Sequence, residues 1–126
     1  MFPAEVNSLL CSALTGVFGL QDDDDGCGLT ESGSTAVTCL MIGKDLYCAN
    51  AGDSRAVLCR KGIAVGLSED HKPCNDEEKA RIEKAGGFVE DKRVNGTLAV
   101  ARAMGDFSFK AETQLSAEEQ QVTSPC

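Results

Sequence analysis

Histidine is nearly absent from this sequence; His71 is the single one. Alone it cannot complete a Cys/His zinc site, and none of the seven cysteines stands in a Cys-x-x-Cys pair. It is also the sole base open to a Ser–His hydrolase. The Gly-x-Ser-x-Gly elbow of such enzymes lacks its last glycine in Gly52-Asp53-Ser54-Arg55-Ala56. No cysteine has an arginine six positions on, which excludes the Cys-x5-Arg phosphate loop of cysteine-dependent phosphatases. A Gly-x4-Gly-Lys phosphate loop is missing too. No uninterrupted apolar run reaches the ~18 residues of a membrane span, so no membrane association is expected.

Positive charge is missing from both ends. All twelve basic residues lie between Lys44 and Lys110, and the flanks carry acids alone, including Asp22 to Asp25. The net charge is −8, and no basic stripe exists to neutralise phosphates, so nucleic acid is not an expected partner. The Asp run does not make a calcium loop, because Gln21 and Ser32 stand where acidic ligands are needed. An odd cysteine count without a basic secretory leader favours reduced thiols acting as small core residues. It points to an intracellular location, cytoplasmic or nuclear. Asn95-Gly96-Thr97 fits a glycosylation sequon but reads better as a turn.

With 126 residues, 42% of them hydrophobic, the chain fits one domain with a modest core. Val6, Leu9, Leu10, Ala13, Leu14 and Val17 recur at helical spacing, and Gln21 to Ser32 is a solvated acidic loop. Residues 1–31 are therefore expected as helix plus loop, and 32–126 as the main segment. Strands are expected over Thr35 to Ile42, Leu46 to Ala51, Arg55 to Cys59 and Ile63 to Leu67. Their connections are too short for parallel crossovers, which predicts an antiparallel β-meander.

A helix is expected from Asn75, with Asn75 and Glu78 as a capping box and Glu77–Arg81 and Lys79–Glu83 as one-turn pairs. Gly86 or Gly87 should stop it. Phe88 to Val94 reads as a short hairpin, Asn95-Gly96 as a turn, and Ala111 to Cys126 as polar and poorly patterned.

One chemistry survives the exclusions. Phosphate-monoester hydrolysis by metal-activated water needs oxygen ligands, usually aspartates at strand ends. Asp53, just after Gly52 where a strand turns, has that setting. On local sequence it fits better an aspartate bonded to its own turn, with Arg55 as a surface partner.

The order of motifs adds to this. Gly33-Ser34-Thr35-Ala36, Asn50-Ala51-Gly52-Asp53-Ser54-Arg55, Asp70-His71-Lys72-Pro73, Ala85-Gly86-Gly87 and Arg93-Val94-Asn95-Gly96 follow one another. Ala101-Arg102-Ala103 with Gly105-Asp106 completes the series. Together they resemble the middle of a metal-dependent protein serine/threonine phosphatase of the protein phosphatase 2C (PP2C, PPM) family. The match runs from Ser32 to Lys110, and the acidic tract before Ser32 resembles an insertion of gamma-type members.

The resemblance implies an α+β fold, part of an α-β-β-α sandwich with meander, helix and flap region. It implies hydrolysis of phosphoserine and phosphothreonine in phosphoproteins with Mg²⁺ or Mn²⁺. Residue by residue, Asp53 corresponds to a ligand of an additional, weaker metal. Arg102 and Asp106 fall beside the flap, as substrate-adjacent residues or as a buried salt bridge and turn anchor; His71 is structural.

The family's Asp-Gly-His-Gly-Gly block, its phosphate-binding arginine, its Asp-Gly and Trp-Asp blocks and its final Asp-Asn block are not found in these 126 residues. The expectation is a partial domain with little activity alone. The alternative is a non-catalytic pseudophosphatase fragment that binds a protein partner. Whether the chain is itself an enzyme, and its oligomeric state, stay open at this point.

Overall fold

The computed structural model describes residues 32–124. The expected N-terminal helix and acidic loop lie outside them, apart from Ser32. Strands β1 (Gly33–Ser34), β2 (Ala36–Ile42), β3 (Asp45–Ala51), β4 (Val57–Arg60) and β5 (Ile63–Gly66) come first. Helix α1 (Asp76–Lys84), β6 (Val89–Glu90), β7 (Arg93–Val94), β8 (Met104–Gly105) and a 3-10 turn (Phe107–Phe109) follow. This is an α+β chain whose ladders are all antiparallel: β2 with β3, β4 with β5, β6 with β7, and β1 with the distant β8.

The expected meander is interrupted. Among the described residues each ladder has two strands, and β3 is not paired with β4. The cause lies in residues 52–56, whose polar groups turn elsewhere. The Gly52 carbonyl accepts from His71 N–H (2.9 Å), and Ala56 N–H donates to Ser68 Oγ (2.9 Å). Backbone committed to those partners cannot extend a ladder.

Helix α1 forms where its acids and stop signals place it, but its start differs from expectation. Asn75 holds the N-cap position without a side-chain cap; its Nδ2 donates instead to the Asp70 carbonyl (2.8 Å). Glu78 is turned into the protein, 3% exposed, and pairs with Arg81, which leaves Glu77 without the expected one-turn pair. Lys79–Glu83 does form, at 3.7 Å. Gly86 (φ 82°) ends the helix; Gly86 N–H donates to Glu83 O (3.1 Å) and Gly87 N–H to Ile82 O (3.0 Å). That bond pair is a Schellman motif, and its left-handed residue costs glycine little.

The core sits behind α1. Ile82, Val94, Ala101, Ala103 and Val122 are buried together, with Val89, Leu98, Val100 and Phe109 packed around them. Burying a side chain such as Ile82 or Val122 contributes roughly 1.5–3 kcal/mol. Val122 belongs to the stretch expected to be unpatterned, and Gln120 and Thr123 are buried beside it. One apolar residue, held by Thr123 N–H to Ala101 O and Ala103 N–H to Thr123 O, suffices to dock that stretch. So short an anchor leaves no periodicity to read.

The two long hairpins lie apart from this core. Met41 (71% exposed) and Ile63 (67% exposed) face outward. Cys39, Cys48, Cys59 and Cys74 are free thiols; Cys39 and Cys59, strand residues expected in the core, are exposed, and so is Cys74 before the helix. Among the described residues, no second layer covers those strands.

Candidate functional site

The motifs that are scattered along the chain meet in one place. Gly52-Asp53-Ser54-Arg55, at the end of β3, is stitched residue by residue to Asp70-His71-Lys72. Arg55 grips Asp70 through two bonds, Nε to Oδ1 (2.8 Å) and an Nη to Oδ2 (2.9 Å). Gly52 N–H donates to His71 Nδ1 (3.2 Å), and Lys72 Nζ donates to Asp53 Oδ2. From the other side, Ser54 Oγ and Thr35 Oγ1 share a 2.8 Å hydrogen bond. Asn50 Nδ2 donates to Gly52 O (3.1 Å) and Glu69 O (2.8 Å) from a buried position. Asp53 thus salt-bridges to Lys72, and the expected surface partner Arg55 is engaged by Asp70 instead.

His71 joins this turn to the rest. Its carbonyl accepts from Ala101 N–H (3.0 Å). Burial pushes the imidazole's pKa down, the Arg102 and Arg81 guanidiniums push the same way, and Glu78 opposes them. A neutral ring also suits Nδ1 as an acceptor from Gly52. The sign follows. A folded pKa below the ordinary value means the unfolded chain takes up the proton first. Stability is then full above about pH 6.5 and declines as pH falls from there toward the folded pKa. Proton NMR of this single histidine is expected to give a midpoint below 6.5, and His71→Gln should flatten the stability change between pH 7.5 and 5.5. An unshifted midpoint would contradict a half-buried neutral ring.

Arg102 and Asp106 sit on the segment that runs past His71. Arg102 directs its guanidinium to Glu78, with Nε 2.9 Å from Oε1, while Arg81 binds the other carboxylate oxygen. Arg81 also donates to Ala101 O (2.6 Å) and Gln120 O (3.1 Å). Burial would raise the Glu78 pKa, but the hydrogen bonds from Arg102 and Arg81 outweigh it and hold the carboxyl below its ordinary range. Arg102 is therefore the salt-bridge anchor between helix α1 and the 99–106 segment.

Asp106, 7% exposed and in left-handed backbone (φ 50°), donates its N–H to Ser32 O (2.9 Å). Its carboxylate lies against Gly33, so that any Cβ there would overlap it. Burial raises its pKa, and Lys110 opposes that rise.

The three candidates share a neighbourhood rather than a ligand sphere. Asp53 faces Lys72, Arg102 faces Glu78, and Asp106 faces Gly33. In the sequence alone Glu78 reads as a helix cap, not a site residue. The signal that could have found it is its register: Glu78, Ile82 and Ala85 share one face, and a carboxylate on an apolar face needs a cationic partner.

A cleft of about 300 Å³ opens between Glu77, Glu78, Arg81, Arg102, Glu118 and Thr123. Three glutamates against two arginines give it no preference for phosphate. Among the described residues, no three His, Cys, Asp or Glu side chains converge on a point. Asp53 alone, with an ammonium on its carboxylate, does not fit a pair of divalent ions, which want several oxygen ligands.

Comparison with known proteins bears on the same segment. A family model described as Protein phosphatase 2C matches residues 20–125. "Protein phosphatase 2C homolog 3" of Schizosaccharomyces pombe is 55% identical over 119 residues, covering 94% of this chain and 28% of that protein. "Protein phosphatase 2C homolog 2" of the same yeast is 54% identical over 106 residues, covering 83% and 27%. Among solved structures, a phosphatase from a pathogenic strain of Toxoplasma gondii superimposes with a TM-score of 0.62 at 48% identity, over 64% of this chain and 25% of that one. The chain thus spans about a quarter of the length of the relatives it matches.

Proposed function

The chain belongs to the protein phosphatase 2C family, and on that premise we propose that it supplies the central part of a domain that dephosphorylates phosphoserine and phosphothreonine in phosphoproteins. The observation that carries the reading is the mutual docking of Gly52-Asp53-Ser54-Arg55 with Asp70-His71-Lys72, two motifs that the family shares and that here are each other's partners.

In this reading the whole domain uses Mg²⁺ or Mn²⁺, and Asp53 stands at an outlying metal position. When bound, such ions supply an activated water and neutralise the phosphate. The described residues do not assemble that pair, so their part is positional. His71 and Asn50 fix the turn that bears Asp53. Arg102, through Glu78, ties the flap-adjacent segment to α1, and Asp106 anchors that segment's far end at Gly33. Phosphoprotein substrates, and a location in cytoplasm or nucleus where the free thiols stay reduced, complete the reading.

The test is a graft. Residues 32–124 replace the matching stretch in one of the yeast relatives, and phosphate release from a phosphothreonine peptide is measured with Mn²⁺. The grafted enzyme is expected to keep activity within about tenfold of its parent, whereas the 126-residue chain alone should stay below about 0.1% of it. Asp53→Asn in the graft should raise the Mn²⁺ concentration needed for half-maximal rate. A folded graft without turnover would instead favour a pseudophosphatase segment that binds a protein partner.

A further inference from the structure

We propose that Cys39 and Cys48 form a redox site, a dithiol that closes to a reversible cross-strand disulfide when it meets a peroxide. The inference stands on the register of the β2–β3 hairpin and is independent of the phosphatase reading. Cys39 and Cys48 are direct partners across this ladder. The hairpin closes through the two-residue Gly43–Lys44 turn, and Ile42 faces Asp45 across it. In such a turn the closing pair is hydrogen-bonded, and pairs alternate outward from there. Three steps on, Cys39–Cys48 falls at a non-hydrogen-bonded position. There Cα atoms are about 4.5 Å apart, inside the 4.4–6.8 Å window of a disulfide.

The two residues are neighbours across the ladder. Burial, and next the hydrogen bond that the Cys48 thiol donates to Cys39, push the Cys48 thiol up to about 11. Cys39 is the exposed member and Cys48 the more sheltered one. The other exposed strand cysteine, Cys59, faces Ala64 across its ladder and has no such neighbour.

The division of labour follows from exposure. The Cys39 thiolate attacks one peroxide oxygen; an S–O bond forms, the O–O bond breaks, and hydroxide leaves and becomes water. The Cys48 sulfur then attacks the Cys39 sulfenic acid. An S–S bond forms, the S–O bond breaks, the Cys48 proton goes to solvent, and the departing hydroxide becomes a second water. Two thiols lose two electrons and two protons, and hydrogen peroxide is reduced to two waters. A dithiol reductant reverses the bond by exchange.

The chain is well placed for a direct test. Lys44 lies in the connecting turn and Glu31 precedes the hairpin. Trypsin with a glutamate-specific protease therefore releases peptide 32–44, bearing Cys39 alone, and peptide 45–55, bearing Cys48 alone. The 126-residue protein is treated with about one equivalent of hydrogen peroxide, alkylated, digested without reductant and weighed. The expected product is the 32–44/45–55 pair, two hydrogens lighter than the sum of its peptides. It should exceed any pairing of Cys39 with Cys59 or Cys74 at least tenfold, and vanish on reduction and in Cys39→Ser and Cys48→Ser. Oxidation in 6 M urea should remove the preference, which separates hairpin geometry from mere sequence proximity. Recovery of both peptides singly alkylated, or an equal spread of Cys39 among the other cysteines, would overturn the assignment.

Discussion

Glu78→Gln is expected to lower the stability of the protein by about 3 kcal/mol, the scale of breaking a buried ion pair from one side. Glu78 is 3% exposed and its carboxylate is shared by two guanidiniums, those of Arg81 and Arg102. The amide removes the negative charge and turns a donor toward donors. Both arginines then remain close to the core with less compensation, while Arg81 still holds the carbonyls of Ala101 and Gln120. Urea denaturation should show the midpoint falling by about 2 M at an m-value of roughly 1.5 kcal/mol/M.

Glu77→Gln, one residue away on the exposed side of α1, should change stability by less than about 0.5 kcal/mol. The pH dependence carries the same signature. The folded Glu78 pKa lies below its ordinary value, so its contribution is complete above that value and is lost as pH falls through the folded one. The Gln variant should therefore lose part of the acid-induced drop below about pH 4.5 that the parent shows. Equal effects of the two substitutions would mean that Glu78 is not the shared partner of both arginines.

Gly52→Ala should be of similar size, about 3 kcal/mol, for a different reason. Gly52 has φ 109°, a region that side chains disfavour, and a Cβ there would lie 2.7 Å from Thr35 Cβ and 3.0 Å from the Arg102 carbonyl. Backbone strain of roughly 1–3 kcal/mol and overpacking of similar size both apply. Gly62→Ala separates them. Gly62 also has positive φ (79°) but nothing within 4 Å of the added carbon, so it should cost about 1 kcal/mol. If thermal unfolding shows equal losses at the two positions, crowding at the Gly52 turn is not what fixes it. If Gly52→Ala is the costlier, Thr35, Arg102 and the turn bearing Asp53 form one packed unit.

Much of the local structure is legible in the residues themselves. β-Branched and apolar runs broken by Gly43-Lys44 and Arg60-Lys61-Gly62 specify hairpins, because a two-residue connection permits one strand direction. Asp76 to Glu78 and the Gly86-Gly87 pair bound a helix for electrostatic and steric reasons that act within one turn. The burial of Glu78, the docking of Val122 and the break between β3 and β4 are different in kind. Each depends on a partner 19 to 40 positions away: Arg102 for Glu78, Ile82 for Val122, His71 for Gly52. No local propensity encodes a partner that distant.

By itself, then, the sequence determined the local hairpins with their antiparallel sense, the helix and the order of motifs that marks the family, since these rest on short-range sterics, hydrogen bonding and residue identity, whereas the distant β1–β8 pairing does not. The tertiary structure alone decided which charge meets which: Asp53 with Lys72, Arg55 with Asp70, and one buried carboxylate with two arginines. A charge can find any opposite charge in water; the docked backbones of residues 52–55 and 70–72 select the two exposed pairs, and burial selects the partners of Glu78.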